Sequence, residues 1–568
     1  MKLKKTILFF LLILLPLVLA FAADPPVGSS PAAQGQRYEE DVRLGEEKLQ
    51  KKKVKKPQVD VQEEEKPTAP SISFVLKDIK VTGVTILKDK ELKPLYQQYL
   101  DKQVSQAEIE SVMNKIKAAY IKKGYLTVIV FLPEQDINDG VLEIRVVEGK
   151  MGDLVIEGNK NFSEKLISKY IHLRKNELLN FKVLERDLLR LNQTSDLEVK
   201  AALTAGKEPQ TSDITLKVSD SRPWHIGFTE DSQGTRLSGK YRTSIYLRSS
   251  NLTGNLDSLF LNALYSGNSS GQALTYVLPF DTQGTKFGIE VVNFESRLGK
   301  EYKSQNISGT TLIYNPYMNF ELILNERFQV NANLGLDIKS IQKKTNGTRT
   351  SDDQLRMPYF GFSIIETDIS GETDFTPNFT FSPPGFLGAS KKNHPSASRA
   401  GTGGFFFNYN QGLNRTQRMP WDSYISMRSQ FQIPTHTLPS SEQIQIGGFN
   451  SVRGYAEGDY LADLGGFMRT DWFFPMYLIP KDWKLADSAT PLRNRIEPIL
   501  FADVGGGKLK KTLSGEQHDK FLAGVGGGLR VRLYKKSVVI LEWAKYVGDV
   551  PASGNGPATF NFIFQAEY

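Results

Sequence analysis

KYRTSIYLRSS, residues 240–250, alternates without a break. Tyr241, Thr243, Ile245 and Leu247 fall on one side of an extended chain, and Arg242, Ser244, Tyr246 and Arg248 on the other, because successive side chains of a strand point to opposite faces. The pattern returns in FLAGVGGGLRVRLY (521–534), where Phe521, Ala523, Val525, Leu529, Val531 and Leu533 oppose glycines, Arg530 and Arg532. The last residues set Phe560, Phe562, Phe564, Ala566 and Tyr568 on one face. A soluble β-sandwich also alternates. Here, however, arginines recur on the polar face strand after strand, and the chain stops on an aromatic residue inside its final alternating run. Segments of about ten residues, greasy on one face and charged on the other, suit a closed cylinder with lipid outside and water inside. From 223 to 568 helical periodicity is absent and about sixteen such segments fit, an even number returning both ends to one side of the membrane. Residues 371–384 are the least regular of them.

The amino end sets the compartment. Lys2, Lys4 and Lys5 precede the apolar run Ile7–Leu19, and Ala20-Phe21-Ala22 supplies a small-x-small cleavage site, which predicts a signal peptide over 1–22. The run is short for a membrane span and gives way to Asp24-Pro25-Pro26. No cysteine occurs, so this exported chain uses neither disulfides nor a lipidated cysteine. The net charge of +8 comes from 71 basic residues scattered among 63 acidic ones. The excess sits in the run Lys51–Lys56, which is no groove for nucleic acid. Five histidines without a closely spaced pair argue against a metal site. No nucleophile–base–acid set stands out, so neither an enzyme nor a cofactor is expected. The glycines of GVGGG at 524–528 precede no helix, so they read as a lumen-facing or sharply curved strand rather than a phosphate cradle.

Residues 23–70 are a polar linker with few core-forming side chains. One helix is expected around 34–53; being polar all round, it needs an unusual setting such as a water-filled lumen. Texture changes at 71. Phe74–Gly83 reads as a strand, Ser105 and Glu108 make a capping box, and Ile109, Val112, Met113, Ile116, Ala119 and Tyr120 form one stripe of a helix that Gly124 ends. Strands follow at 126–132 and 141–147. The same order recurs, with Leu154, Ile156 and Gly158 matching Ile79, Val81 and Gly83. Two tandem α+β domains, 71–149 and 150–222, result.

Between alternating segments stands GGFNSVRGYAEGDY (447–460), preceded by Glu442-Gln443 and followed later by Phe501-Ala502-Asp503-Val504-Gly505. The first small domain carries Gly124-Tyr125, Leu132-Pro133, Gln135, Asp139-Gly140 and Glu148-Gly149. On these residues the chain resembles the outer-membrane transporters of two-partner secretion, the TpsB family typified by haemolysin secretion/activation and filamentous-haemagglutinin transporters. The resemblance implies an all-β transmembrane barrel of about 16 antiparallel strands preceded by two small α+β POTRA domains, whose motif residues Gly124, Tyr125, Pro133, Gln135, Gly140 and Gly149 are mainly structural. It also implies that the sixth extracellular loop, 441–460, folds back into the barrel.

In that loop Gly447, Gly448 and Gly454 would let a tight hairpin approach the wall, with Val452 and Tyr455 packed on either side. Arg453 would enter the lumen and pair bidentately with Asp503, expected at the end of a strand Ile496–Asp503 that also carries Phe501 and Gly505. Phe560, Phe562, Phe564 and Tyr568 would form the carboxyl-terminal barrel signal. The implied partners are a large β-helical secreted protein, unfolded in the periplasm, outer-membrane lipid and, during biogenesis, the barrel-assembly machinery. The secreted chain would add as a strand to a POTRA edge, first of all the final strand of either module. An insertase of outer-membrane proteins shares the loop, and a passive porin would share only the barrel.

Overall fold

The computed structural model describes residues 25–50, 59–61 and 73–568, apart from 138, 485–489, 514, 534–535, 553–555 and 557. The signal peptide expected over 1–22 and the lysine run at 51–56 lie outside the described residues. No described helix is long and apolar enough to cross a membrane, a statement that leaves strands aside.

Sixteen antiparallel strands close into a barrel, from the first (Trp224–Asp231) to the sixteenth (Ala558–Glu567). The closing seam pairs Gly227 with Glu567 through to Asp231 with Ile563. Closure leaves no edge, which is what allows strands to stand in lipid. The alternation of 240–250 has its cause here: Tyr241 and Ile245 face outward and are exposed, whereas Arg242 and Arg248 are buried in the lumen. Residues 371–384 supply the regular strand Gly371–Ser382. The sixth to eighth strands (Ser308–Leu324, Phe328–Thr345, Thr348–Thr367) run 17, 18 and 20 residues, longer than a bilayer crossing needs.

The first POTRA domain packs its helix Gln106–Lys123 through Ile109, Val112, Ile116 and Tyr120 onto Ile79, Leu142, Ile144 and Val146. Its motif residues make local contacts. Gly124 is the left-handed cap (φ +100), and a Cβ there would strike Asn180 of the second domain. Tyr125 sets its ring edge-on to Tyr120, with centroids 6.4 Å apart. Gln135 exchanges two 2.7 Å hydrogen bonds with the backbone of Glu143 and donates to the Pro133 carbonyl. Gly140 has φ +73, and a Cβ on Gly149 would meet the Thr127 hydroxyl. The second domain docks beneath one side of the barrel. Arg190 pairs with Glu321 at 2.6 Å, His172 meets Thr282 at 3.0 Å, and Asp196 meets His225 at 2.8 Å and Ser250 at 2.6 Å.

The edges differ from the expectation. The final strand of the first module, Val141–Val147, lies between Asp78–Thr82 and Ile129–Phe131, and that of the second, Thr211–Asp220, lies between Leu197–Ala205 and Lys150–Glu157. Both are central because each closes its sheet by pairing with the hairpin partner before it and, in parallel, with the first strand. The edge of Leu197–Ala205 is itself covered by the linker segment Val59–Val61, in parallel register from Val59 with Ala201.

Glu148 ties the first domain together. Its carboxylate accepts from the Thr85 and Ile86 N–H groups, the Thr85 hydroxyl and the Tyr120 hydroxyl. Burial works against the charge, but these donors outweigh it and hold the carboxyl below the usual glutamate range. A group so depressed stabilises the fold fully above its unfolded pKa, and that contribution disappears as pH falls through the folded value. Glu148→Ala is expected to remove about 1.5–3 kcal/mol, the scale of a hydrogen bond to a charged group. Loss of hydrogen-exchange protection around Thr85 and Ile86, mimicked in the parent chain only by acid below the ordinary glutamate range, checks this.

Candidate functional site: the barrel lumen

The loop 435–463 between the eleventh (Tyr424–Pro434) and twelfth (Leu464–Phe473) strands turns back into the barrel. Its stem is a short ladder of Ile444–Ile446 with Tyr460–Ala462. The last stem pair is Ile446 with Tyr460, so the tip spans 447–459 and is wider than the tight hairpin expected. Internal bonds make it compact, among them Gly448 N–H to the Val452 carbonyl and Gly458 N–H to the Gly447 carbonyl. Gly447 and Gly448 at φ +107 and Gly454 at φ +96 take backbone that side chains disfavour. A Cβ on Gly454 would lie 2.7 Å from the Tyr546 nitrogen. Val452 and Tyr455 are buried in an apolar cluster with Ile446, Phe467 and Leu522, and the Tyr455 hydroxyl donates to the Asp549 carbonyl at 2.9 Å.

Arg453 has no solvent exposure. Its Nε and Nη2 each donate to Asp503 at 2.7 Å, and its backbone N–H adds a third bond to the same carboxylate at 3.1 Å. Nη1 donates to Asp471 at 2.6 Å and to Glu542 at 3.1 Å. The guanidinium carbon lies 3.4 Å from the Phe501 ring centroid, a cation–π contact. Arg469 joins Asp471 at 2.9 Å and Glu542 at 3.3 Å.

Asp503 does not end its strand. The thirteenth strand runs Ile496–Lys508, because the flanking strands continue the ladder past Gly505, Gly506 and Gly507. Alternation then aims Phe501, Asp503 and Gly505 inward as platform, anion and clearance: a Cβ on Gly505 would press Ile446, Phe467 and Val452 at 2.9 Å.

Sequence reasoning missed Asp471 and Glu542, which lie on neighbouring strands rather than beside the motif. It also undervalued GVGGG. A Cβ on Gly524 would lie 1.9 Å from the Arg453 carbonyl, and one on Gly526 would enter the Phe501 ring. Those glycines make room for the loop tip, and their register against Asp503 and Phe501 is the signal that points to it.

A helix, Pro31–Gln50, lies in the lumen, starting a little before the expected 34–53. Its partners encircle it. Asp41 pairs with Arg242 at 2.7 Å, Tyr38 with Asn262 at 2.9 Å, Arg43 with Glu290 at 3.1 Å, Glu39 with Lys339 at 3.1 Å, and Glu40 with Arg428 at 2.9 Å. Loop and helix also hold each other: Gln445 donates to the Ala33 carbonyl, Arg37 donates to Gln445, and Lys339 bridges Glu39 to Glu442. Gln443 donates to buried Asp463 in the loop stem.

The remaining named residues are elsewhere. Phe560, Phe562 and Phe564 are on the outer or seam side of the last strand, with Phe562 beside Tyr241 and Phe564 beside Phe228. Tyr568 is exposed, its backbone paired with Ile226. The POTRA motif residues lie in the first domain, away from the Arg453 cluster.

Residues 210–531 match the family described as "Haemolysin secretion/activation protein ShlB/FhaC/HecB", and residues 74–149 match "POTRA domain, ShlB-type". The chain belongs to that family. It is an outer-membrane transporter of the two-partner secretion type, with its POTRA domains in the periplasm, so the loop 435–463 is extracellular at its base. It is similar to "Heme/hemopexin transporter protein HuxB" of Haemophilus influenzae, 24% identical over 454 residues, covering 77% of each chain. It is also similar to "Hemolysin transporter protein HpmB" of Proteus mirabilis, 24% identical over 492 residues, covering 83% of this chain and 81% of that one. Among solved structures, "CdiB from Escherichia coli" superposes with a TM-score of 0.74 at 18% identity, over 94% of this chain and 98% of that one, which shows a shared fold.

Arg453 and Arg469 face three carboxylates, so the single changes differ in cost. Arg453→Ala strands Asp503 without its bidentate partner and should destabilise by about 3–5 kcal/mol, as breaking buried pairs does. Glu542→Gln leaves two cations facing two anions and should cost clearly less. The temperature at which the folded barrel loses its fast electrophoretic migration ranks them.

Proposed function

We propose that this chain exports a large β-helical partner protein, received unfolded in the periplasm, and that the arrangement described is its closed resting state. One observation carries the reading. The lumen holds a predominantly polar helix tied to the wall by ion pairs and hydrogen bonds, with a small apolar contact where Tyr38 and Val42 pack against Phe260, Phe294 and Ile313. A helix of that composition is stable in the lumen and tolerable in water once it leaves, whereas an apolar plug would strand greasy surface. Passive porins have no need of such a plug or of POTRA domains.

Arg453 acts as the latch of the inward loop, and the loop in turn seats the helix through Gln445 and Glu442. Partner capture uses an open strand edge. Among the described residues Ile129–Phe131 pairs on one side only, and Ile129 and Phe131 present exposed apolar side chains beside that edge. The edge under Val59–Val61 becomes a second such site when the linker leaves it. Backbone addition of this kind demands little of the incoming sequence. No catalytic step is assigned, since folding of the partner outside the cell supplies direction where no nucleotide is hydrolysed. Assembly of the barrel itself falls to the barrel-assembly machinery. The family description, haemolysin secretion/activation, and the name of one relative, a hemolysin transporter, support a secreted protein as the cargo.

Arg453→Ala and Asp503→Ala should each reduce export of the secreted partner while the barrel still fractionates with outer membranes; normal export by both removes the latch from the mechanism. Deleting 31–50 should raise the ion conductance of the reconstituted barrel, measured in planar bilayers, because the lumen then holds only the loop. Unchanged conductance would contradict the closed state.

A further inference from the structure

Three of the chain's five tryptophans, Trp421, Trp472 and Trp483, lie in or next to two periplasmic connections between strands, and the Trp472 ring N–H donates to the Ser423 hydroxyl at 3.2 Å. The contacts of the second POTRA domain with the barrel described above, at Thr282, Glu321, His225 and Ser250, belong to the other side, near the seam and the first six strands. The far side carries two turns, 419–423 and the described parts of 474–495, the second of which is long for the periplasmic side of a barrel. The turns are tied together: the Tyr477 hydroxyl donates to the Trp421 carbonyl, and Arg493 pairs with Asp422 at 2.9 Å.

The outward direction is fixed by the strands that feed them. Asp471 and Phe473 point into the lumen, so Trp472 points to lipid, in register with Ile425 on one side and exposed Leu500 on the other. Phe474 continues that face, its ring 4.6 Å from the Trp472 ring. Beyond it the turn exposes Tyr477 (51%), Leu478 (91%) and Trp483 (58%), with Trp421 exposed beside them (75%). Lys481 and Lys484 flank Trp483 and are exposed as well. None of these apolar side chains is needed to close the barrel, and leaving them in water costs about 25 cal/mol per Å² of apolar surface. Tryptophan and tyrosine settle where hydrocarbon meets headgroups, and lysines reach phosphates there. Continuity with the lipid-facing wall and the flanking lysines favour a bilayer over a protein as the occupant.

We propose that this double turn is an interfacial anchor seated in the headgroup layer of the periplasmic leaflet, with phospholipid as its partner. It holds the half of the rim that the second POTRA domain leaves uncovered, so the barrel's tilt is set from both sides. The chain has no cysteine, so Leu478→Cys, and Lys207→Cys in the second POTRA domain as reference, each accept one environment-sensitive fluorophore on the full chain reconstituted in phosphatidylcholine–phosphatidylglycerol vesicles. The Leu478 conjugate should emit at shorter wavelength than the reference and lose most of its emission to lipids bearing a nitroxide near the headgroup, while the Lys207 conjugate keeps its own.

As a label-free check, the unlabelled chain should lose a fraction of tryptophan emission to brominated phosphatidylcholine, and Trp483→Phe should shrink that fraction. The proposal is overturned if the Leu478 conjugate behaves like the reference and Trp483→Phe leaves the quenched fraction unchanged. It is equally overturned if the Leu478 conjugate is shielded only after the secreted partner is added, which would assign the surface to protein.

Discussion

A guanidinium with no access to water must find its counter-charge inside the protein, and the upper barrel of this transporter is organised around that need. Arg453 meets Asp503, Asp471 and Glu542 from three different strands, so one loop residue fixes the relative register of the wall behind it. An exposed pair of this kind would contribute little, and burial makes its loss costly instead. The Phe501 ring packs against the guanidinium, and the missing side chain of Gly524 makes room for the Arg453 carbonyl. The loop cannot lie elsewhere without abandoning a buried charge.

From that fixed loop the polar interior extends by contact. Gln445 and Glu442 pass the constraint to the lumenal helix, whose acidic and basic residues answer arginines, lysines and carboxylates of the wall on several sides. The interior therefore combines ion pairs with small apolar clusters, around Val452 and Tyr455 and around Tyr38 and Val42, while the exterior faces lipid. At the periplasmic end Glu567 of the last strand receives Arg248 and Lys536, and Asp196 of the second POTRA domain receives His225 and Ser250. Barrel closure and POTRA docking share one ionic seam.

Much of this was legible in the residues because period and composition act locally. Alternation in 240–250 gives a lipid face and a lumen face whatever the neighbours are, and a capping box followed by an apolar stripe gives the helix Gln106–Lys123. Paired glycines around Val452 and Arg453 announce a backbone that ordinary side chains resist. The strand end assigned to Asp503 was misplaced because glycines break isolated strands, and only the neighbouring strands could carry the ladder to Lys508. The POTRA edges were misjudged for a similar reason: which strand is central depends on which pairs form, not on which comes last.

The sequence alone determined that the carboxyl-terminal part must be a closed barrel with a charged interior, that two α+β modules precede it, and that an arginine-bearing glycine loop seeks an acid. The first two follow from side-chain period, length and charge, which belong to each segment on its own; the third rests on the resemblance to the transporter family. Tertiary structure alone decided that three acids rather than one meet Arg453, that the polar helix fills the lumen, and that the linker takes a POTRA edge. Those outcomes depend on which strands stand side by side, and register across a closed sheet is a property of the whole cylinder, invisible in any stretch of it.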